Sequence, residues 1–352
     1  MSGAPVELAV IGARVESCLS ALLCAEERRW SKIEPELRAP LQALAQLIEA
    51  GGKRLRPAFC HWGFVGAGGQ ADDHRVVEAG AAFELLHGFA LFHDDVMDGS
   101  ATRRGARTAH LVFADRHERA GWLGEARRFG EGVAILVGDL AFVYADQLLA
   151  GAPAAAWRIW NELRIELNIG QYLDIVGTAA TQRDRVAAER ISRYKSGKYT
   201  VERPLHLGAA LAAPERVDEL LPLLSAYGLP LGDAFQLRDD MLGAFGVEAL
   251  TGKPVGDDLI EGKPTPLLAV ATERATAAQR KILTTVGRPG LGPDDVAAVQ
   301  GVLIDTGARA ELDATIERLV GEAIASLDAL PFHDDAKVGL TDLAYFVSSR
   351  ES

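Results

Sequence analysis

The sequence predicts an all-α protein, a single domain over residues 1–352 with about a dozen helices around a central cavity. Three observations lead there. In nearly every segment apolar residues recur three and four apart, the period of a helix with one buried face. Sustained period-two alternation is missing, and no Asn-Gly or Asp-Gly hairpin turn stands between such runs. No Pro-, Gly- or Ser-rich linker divides the chain, and no repeat of fixed period appears.

Val6 to Leu23 and Ile33 to Ile48 read as amphipathic helices. Gly51 and Gly52 break the pattern, and Lys53-Arg54-Leu55-Arg56-Pro57 follows. Pro57 suits a first helical turn, which puts this basic cluster at a helix start, where free backbone N–H groups also favour anions. Val76 to Met97 is long and apolar and runs into the aspartates Asp94, Asp95 and Asp98. Gly99 to Gly130 is polar and rich in Gly and Arg, and is predicted to be a long loop with short helical pieces. Helical runs resume at Gly132–Leu149, Ala154–Thr178, Asp184–Ala212 and Arg216–Phe245. They continue at Thr265–Val286, Pro293–Asp305, Ala308–Ala329 and Lys337–Val347.

A formal net charge of −12 argues against a general nucleic-acid surface and against docking on anionic lipid. Cys18, Cys24 and Cys60 are odd in number and lack CxxC spacing, so a disulfide framework is not expected. The N-terminus lacks the pattern of a signal peptide. Gly132 to Ala145, read as the most apolar stretch, is too short to span a bilayer and carries Asp139, taken as a hydrogen-bonded structural carboxylate. The expectation is a cytoplasmic protein without stable membrane insertion.

On a helix Asp98 stands beside both Asp94 and Asp95, and such like charges cost a few tenths of a kcal/mol, so a cation should accompany them. Gln236-Leu237-Arg238-Asp239-Asp240 repeats the pattern at the polar end of another apolar run. Mg²⁺ prefers a few carboxylate oxygens plus substrate phosphates and water, so two facing acidic helices would supply half a site and a diphosphate the rest. Basic residues stand nearby in sequence: Lys53 and Arg56, Arg103 and Arg104, Lys195, Lys253 and Lys263. Two other motifs fail. Gly66 to Ala71 matches GxGxxA without a preceding strand, and Gly246 to Lys253 is one residue too long for a Walker loop, with Pro254 where Ser or Thr belongs. No HExxH or other zinc pattern is present.

HDDVMDGSATRRG, beginning at His93, and FQLRDDMLG, beginning at Phe235, resemble the two aspartate-rich motifs of trans-isoprenyl diphosphate synthases (polyprenyl synthetases), with a likeness to geranylgeranyl diphosphate synthases of actinobacterial type. The likeness extends through GGKRLRP at Gly51, GQYLDI at Gly170, KSG at Lys195 and GKPVGDDLIEGK at Gly252. It implies the isoprenoid synthase fold, a homodimer, and Mg²⁺-dependent head-to-tail condensation of isopentenyl diphosphate with an allylic diphosphate. Asp94, Asp95, Asp98, Asp239 and Asp240 would hold several Mg²⁺ ions. Arg103, Lys195, Lys253 and Lys263 would contact the allylic diphosphate, with Gln236 beside the metals and Gln171 and Asp174 near them. Lys53, Arg56, His87 and Arg104 would hold isopentenyl diphosphate, with Arg350 folding over it. Gly243 stands where many members have a third aspartate, and Ser196 where threonine is usual.

The helix leading to Asp94 would measure product length, since one turn advances about 5.4 Å, roughly one isoprene unit. Ala90 is small and leaves room for a longer tail, Phe83 three turns deeper would be the floor, and Phe89 would favour farnesyl if it acted as an earlier stop. The reading is geranylgeranyl diphosphate, with farnesyl diphosphate second. A class I terpene cyclase would use a similar cavity but needs no isopentenyl site, and would carry an NDxxSxxxE-type second motif. A non-catalytic partner subunit of a prenyl synthase would tend to lose the acidic motifs.

Overall fold

Helices carry the chain almost throughout, as the periodicity requires. The computed structural model describes residues 5–181, 184–246 and 255–348. It divides into two units: Val6–His61 with Gln70–Pro153, and Met1–Pro5 with Trp62–Gly69 and Ala154–Ser352.

The first unit contains α1 (Val6–Trp30), α2 (Arg38–Glu49), the start of α3 (Leu55–Gly66), α4 (His74–Asp98), α5 (Ala109–Ala120) and α6 (Ala126–Leu148). Its centre is α4, which packs on α6, α1 and α2. A helix surrounded this way is apolar on most faces, and Ala79, Ala81, Ala82, Phe83, Leu85 and Leu86 are fully buried. The Asp73 carboxylate accepts the Arg75 N–H at the start of α4, and Gly99 ends the helix in the left-handed region at φ 65°.

Residues 99–130 hold more structure than expected. Thr102–Arg103 (β1) pairs antiparallel with Ala106–Arg107 (β2), and α5 follows. The periodic signal of α5 is thin because only His110, Phe113 and His117 are buried on it. Helix α6 begins at Ala126, and Gly130 permits its close crossing of α5, since a Cβ there would overlap the His110 carbonyl oxygen. Among the described residues α1, not Gly132–Ala145, is long and apolar enough to cross a membrane; it packs on α2 and α4, with Leu8, Ile11, Val15, Leu19 and Leu23 buried. Asp139, expected as a hydrogen-bonded structural carboxylate, is exposed and lies 3.6 Å from His93.

The second unit contains α7 (Ala154–Ala179), α8 (Arg185–Ser192), a π-helix (Arg193–Glu202), α9 (Arg203–Ala212) and α10 (Val217–Phe245). Then come α11 (Asp257–Glu261), α12 (Pro266–Arg274), α13 (Ala277–Leu283), α14 (Pro293–Asp305), α15 (Ala308–Ser326) and α16 (Asp334–Ser348). Helix α10 is the core element, packing on α15, the π-helix, α9 and α16. The run predicted over Thr265–Val286 is two helices, because Thr276 opens α13 with a capping box to Gln279. All three cysteines are free.

Candidate active site

In the first unit the basic and acidic residues singled out from sequence gather around the end of α4. The loop Gly51–Arg54 leads into α3, and Arg54 adopts a left-handed φ of 48°. Non-glycine residues hold that conformation only where their surroundings over-determine it. Here they do. The buried Arg54 guanidinium pairs with Glu84, donates from Nε to Glu16 Oε1 at 3.2 Å and from Nη2 to the Ile48 carbonyl at 2.8 Å. With Arg54 turned inward, its neighbours Lys53 and Arg56 stay partly exposed.

Arg104 is the second left-handed residue, at φ 53°, and donates from Nη1 to the Leu47 carbonyl at 2.8 Å. Its guanidinium lies against Gly52, where a Cβ would meet Nη2 at 3.3 Å. His87 sits among these groups. Burial, then Arg56, Arg104, Arg103 and Arg54 around it, hold its pKa well below the ordinary value, so the imidazole is neutral. The structure thus brings His87, Arg56 and Arg104 together.

Just beyond them α4 ends in its carboxylates. Arg103 donates from Nε to Asp95 Oδ1 at 2.8 Å, and its Nη2 lies 3.5 Å from Asp94 Oδ2. Burial raises the Asp95 pKa, and Arg103 opposes that rise. Asp94 and Asp98 are half-buried on the same helix end. One turn back, Phe89 stacks against His93 at 4.6 Å and Phe142 of α6 at 4.9 Å between ring centroids. Phe89 and Ala90 are half-buried, whereas Phe83 is wholly buried.

In the second unit α10 presents Gln236, Asp239 and Asp240. Asp239 points outward and Asp240 inward, as neighbours on a helix must. Gln236 Nε2 donates to Asp240 Oδ1 at 2.7 Å. Where the resemblance led to a third aspartate, Gly243 leaves room that Asp258 of α11 fills: a Cβ on Gly243 would overlap its carboxylate. Lys263 Nζ lies 2.7 Å from Glu261 Oε2 and 3.5 Å from Asp258 Oδ1. Lys195, on the π-helix, donates from Nζ to Asp174 Oδ2 at 2.6 Å, and Gln171 is half-buried on the same helix as Asp174. Lys253 and Arg350 lie outside the described residues.

Among the described residues no three acidic, histidine or cysteine side chains form a ready-made metal cluster. The donors still suit Mg²⁺, which takes few protein oxygens and keeps positions for phosphate and water. Asp240 carries the test. Its Oδ2 is buried without a hydrogen-bond partner, and burial, with Asp258 and Asp239 close by, holds its pKa well above the carboxylate range. A divalent cation would relieve both conditions.

Sequence reasoning did not single out Arg54 or Asp258. Arg54 sits in the basic cluster, but nothing local says which cation turns inward. For Asp258, the doubled aspartate Asp257-Asp258 was the available signal.

Residues 38–302 match the polyprenyl synthetase family. The crystal structure of a geranylgeranyl pyrophosphate synthase from Corynebacterium glutamicum, complexed with isoprenyl diphosphate and magnesium, superposes with a TM-score of 0.90 at 35% identity, covering 97% of this chain and 98% of that one. The geranylfarnesyl diphosphate synthase of Aeropyrum pernix is 30% identical, over 86% of this chain and 91% of its own. The (2E,6E)-farnesyl diphosphate synthase of Mycobacterium tuberculosis is 32% identical, over 86% and 80% respectively. This chain is a prenyltransferase and belongs to the polyprenyl synthetase family.

Proposed function

We propose that the protein condenses isopentenyl diphosphate with an allylic diphosphate in a Mg²⁺-dependent head-to-tail reaction, and that both units serve this one reaction as a single catalytic domain. One observation carries the reading. Around the end of α4, Arg56, His87 and Arg104 form a basic group, and Asp94, Asp95 and Asp98 an acidic one, with Arg103 paired to the acidic side. A basic group suits a diphosphate taken up directly; an acidic group suits one taken up with metal. Two kinds of diphosphate site fit two substrates, as a condensation requires and a cyclisation does not.

In this reading Asp94, Asp95, Asp98, Asp239 and Asp240 hold Mg²⁺, which when bound neutralises the allylic diphosphate and makes it a better leaving group. Arg103, Lys195, Lys253 and Lys263 add positive charge to the same diphosphate, and Gln236 orients Asp240. Lys53, Arg56, His87 and Arg104 seat isopentenyl diphosphate. His87, being neutral, acts as a hydrogen-bonding group rather than a cation. The allylic carbon–oxygen bond breaks, the double bond of isopentenyl diphosphate attacks the resulting cation, and a proton leaves, taken by the departing diphosphate. No protein nucleophile is needed.

The relatives' names run from farnesyl to geranylfarnesyl. For this chain we assign geranylgeranyl diphosphate, ahead of farnesyl, because Ala90 leaves space one turn below Asp94 beside Phe89. The working form is a homodimer in the cytoplasm. Asp94→Ala and Asp95→Ala should each collapse turnover; near-normal condensation by either purified variant with Mg²⁺ would overturn the metal assignment. Chromatography of products from isopentenyl diphosphate with each allylic primer tests the chain length.

A further inference from the structure

Lys195 rides on an unusual element. A π-helix normally occurs as a single widened turn, often at a functional site, because its wide repeat packs its own backbone poorly. Here it runs for ten residues, Arg193–Glu202, so contacts from outside must define it.

Those contacts lie along one stripe of α7. Glu166, Gly170 and Asp174 are spaced four apart and share a face. Asp174 accepts from Lys195 Nζ at 2.6 Å. At Gly170 the backbones meet, since a Cβ there would overlap the Lys195 main chain. Glu166, 6% exposed, takes the other end. It accepts from Arg203 Nε at 2.7 Å and Nη2 at 2.6 Å, and it pairs with Lys198. From α10, Gly232 meets Gly197, where a Cβ would come within 2.6 Å of the Gly197 carbonyl oxygen.

The cluster around Glu166 extends to a second glutamate. Lys198 also lies 3.8 Å from Glu202 Oε2, and Ser225 Oγ donates to Glu202 Oε1 at 2.6 Å. His206 joins Ser225 at 3.1 Å and Arg203 at 3.4 Å. Two buried glutamates thus balance two cations. Burial alone would raise the Glu166 pKa, but hydrogen bonds from Arg203 and Lys198 bring it below the ordinary value, so it is ionised. Removing one member leaves an uncompensated buried charge, the costly case for such clusters.

We propose that Glu166 is a positioning residue for Lys195: by pinning Lys198 and Arg203, within and just after the π-helix, it fixes the register that holds the Lys195 ammonium toward the allylic diphosphate. Without that pin the segment relaxes toward the ordinary helical repeat and turns Lys195 off the Asp174 face. The proposal rests on the assignment of Lys195 to the allylic diphosphate.

The test is a double-mutant cycle in the full chain, read as separate KM values for the two substrates. Glu166→Gln should raise the allylic KM about tenfold and leave the isopentenyl KM within about twofold. In a Lys195→Ala background, Glu166→Gln should change the allylic KM less than about twofold, since the group it positions is gone. An unchanged allylic KM in Glu166→Gln, or the same tenfold loss without Lys195, overturns the proposal. If Lys195→Ala alone keeps the wild-type allylic KM, the Lys195 assignment itself fails, and the proposal with it. Should Glu166→Gln lose its helical circular dichroism, Lys198→Met, which leaves Arg203 on Glu166, takes its place in the same cycle.

Discussion

A missing side chain and a buried ring make the clearest residue-scale statements. Gly243 has no Cβ because Asp258 occupies the space, so restoring an aspartate there would force two carboxylates into one volume. Gly243→Asp is expected to destabilise the protein by about 1–3 kcal/mol through overpacking, before any effect on metal. Thermal denaturation without metal checks this, and an unchanged Tm would count against it. His206 is 2% exposed, and burial with Arg203 alongside lowers its pKa from 6.5 to about 3. The folded state therefore refuses a proton that the unfolded chain accepts. Stability contributed by the neutral ring is complete above pH 6.5 and is lost as pH falls toward 3. The loss is about 1.4 kcal/mol per pH unit, or about 2 kcal/mol by pH 5. Urea midpoints at pH 7 and pH 5 should show it, and His206→Gln should shrink the difference by that share, with His61, whose pKa burial lowers to about 4, and His87 supplying a further part. An equal drop in that variant would assign the acid sensitivity elsewhere.

Among the elements, α4 carries on one rod much of the proposed site: His87, the Phe89–Ala90 step, and the carboxylates at its end. If that rod measures the product, Ala90→Phe should shorten it by one isoprene unit while condensation continues. Chromatography of the dephosphorylated products reads this directly, and an unchanged length would remove this face from the ruler. Such a helix was legible because its long apolar run and its adjacent aspartates are local properties. The π-helix was not. Residues 184–212 have an ordinary helical pattern, and the wider repeat comes from Gly170, Gly232 and Glu166, all distant in sequence. The same limit applies to Arg54. Lys53, Arg54 and Arg56 look alike in sequence, and only Glu84, Glu16 and the Ile48 carbonyl decide which one is buried. The β1–β2 pairing escaped because two-residue strands carry no alternation. Helix α5 was foreseen only as a short helical piece, because two of its three buried residues are histidines and the apolar stripe is weak.

At the scale of the whole molecule, net charge and local field point in opposite directions. The chain carries −12 yet is read as taking two polyanionic substrates, so attraction must come from the basic groups gathered at the end of α4 and on the π-helix. One of those groups is paired within the chain: Arg103 donates to Asp95 and lies beside Asp94, two of the carboxylates proposed to hold metal. Metal held there would compete with an internal counter-ion, and a diphosphate that drew Arg103 away would lift the competition. By linkage, bound metal would then free Arg103 for the diphosphate, and each ligand would raise the other's affinity by the same factor. Calorimetric titration of Mg²⁺ with and without inorganic diphosphate should give tighter metal binding in its presence. In Arg103→Gln, where no internal cation is displaced, metal alone should bind more tightly than in the wild type, and the coupling between the two ligands should shrink. On the proposed assignment, the arginine beside the aspartates would act as a thermodynamic gate, tying the response to metal to the response to substrate.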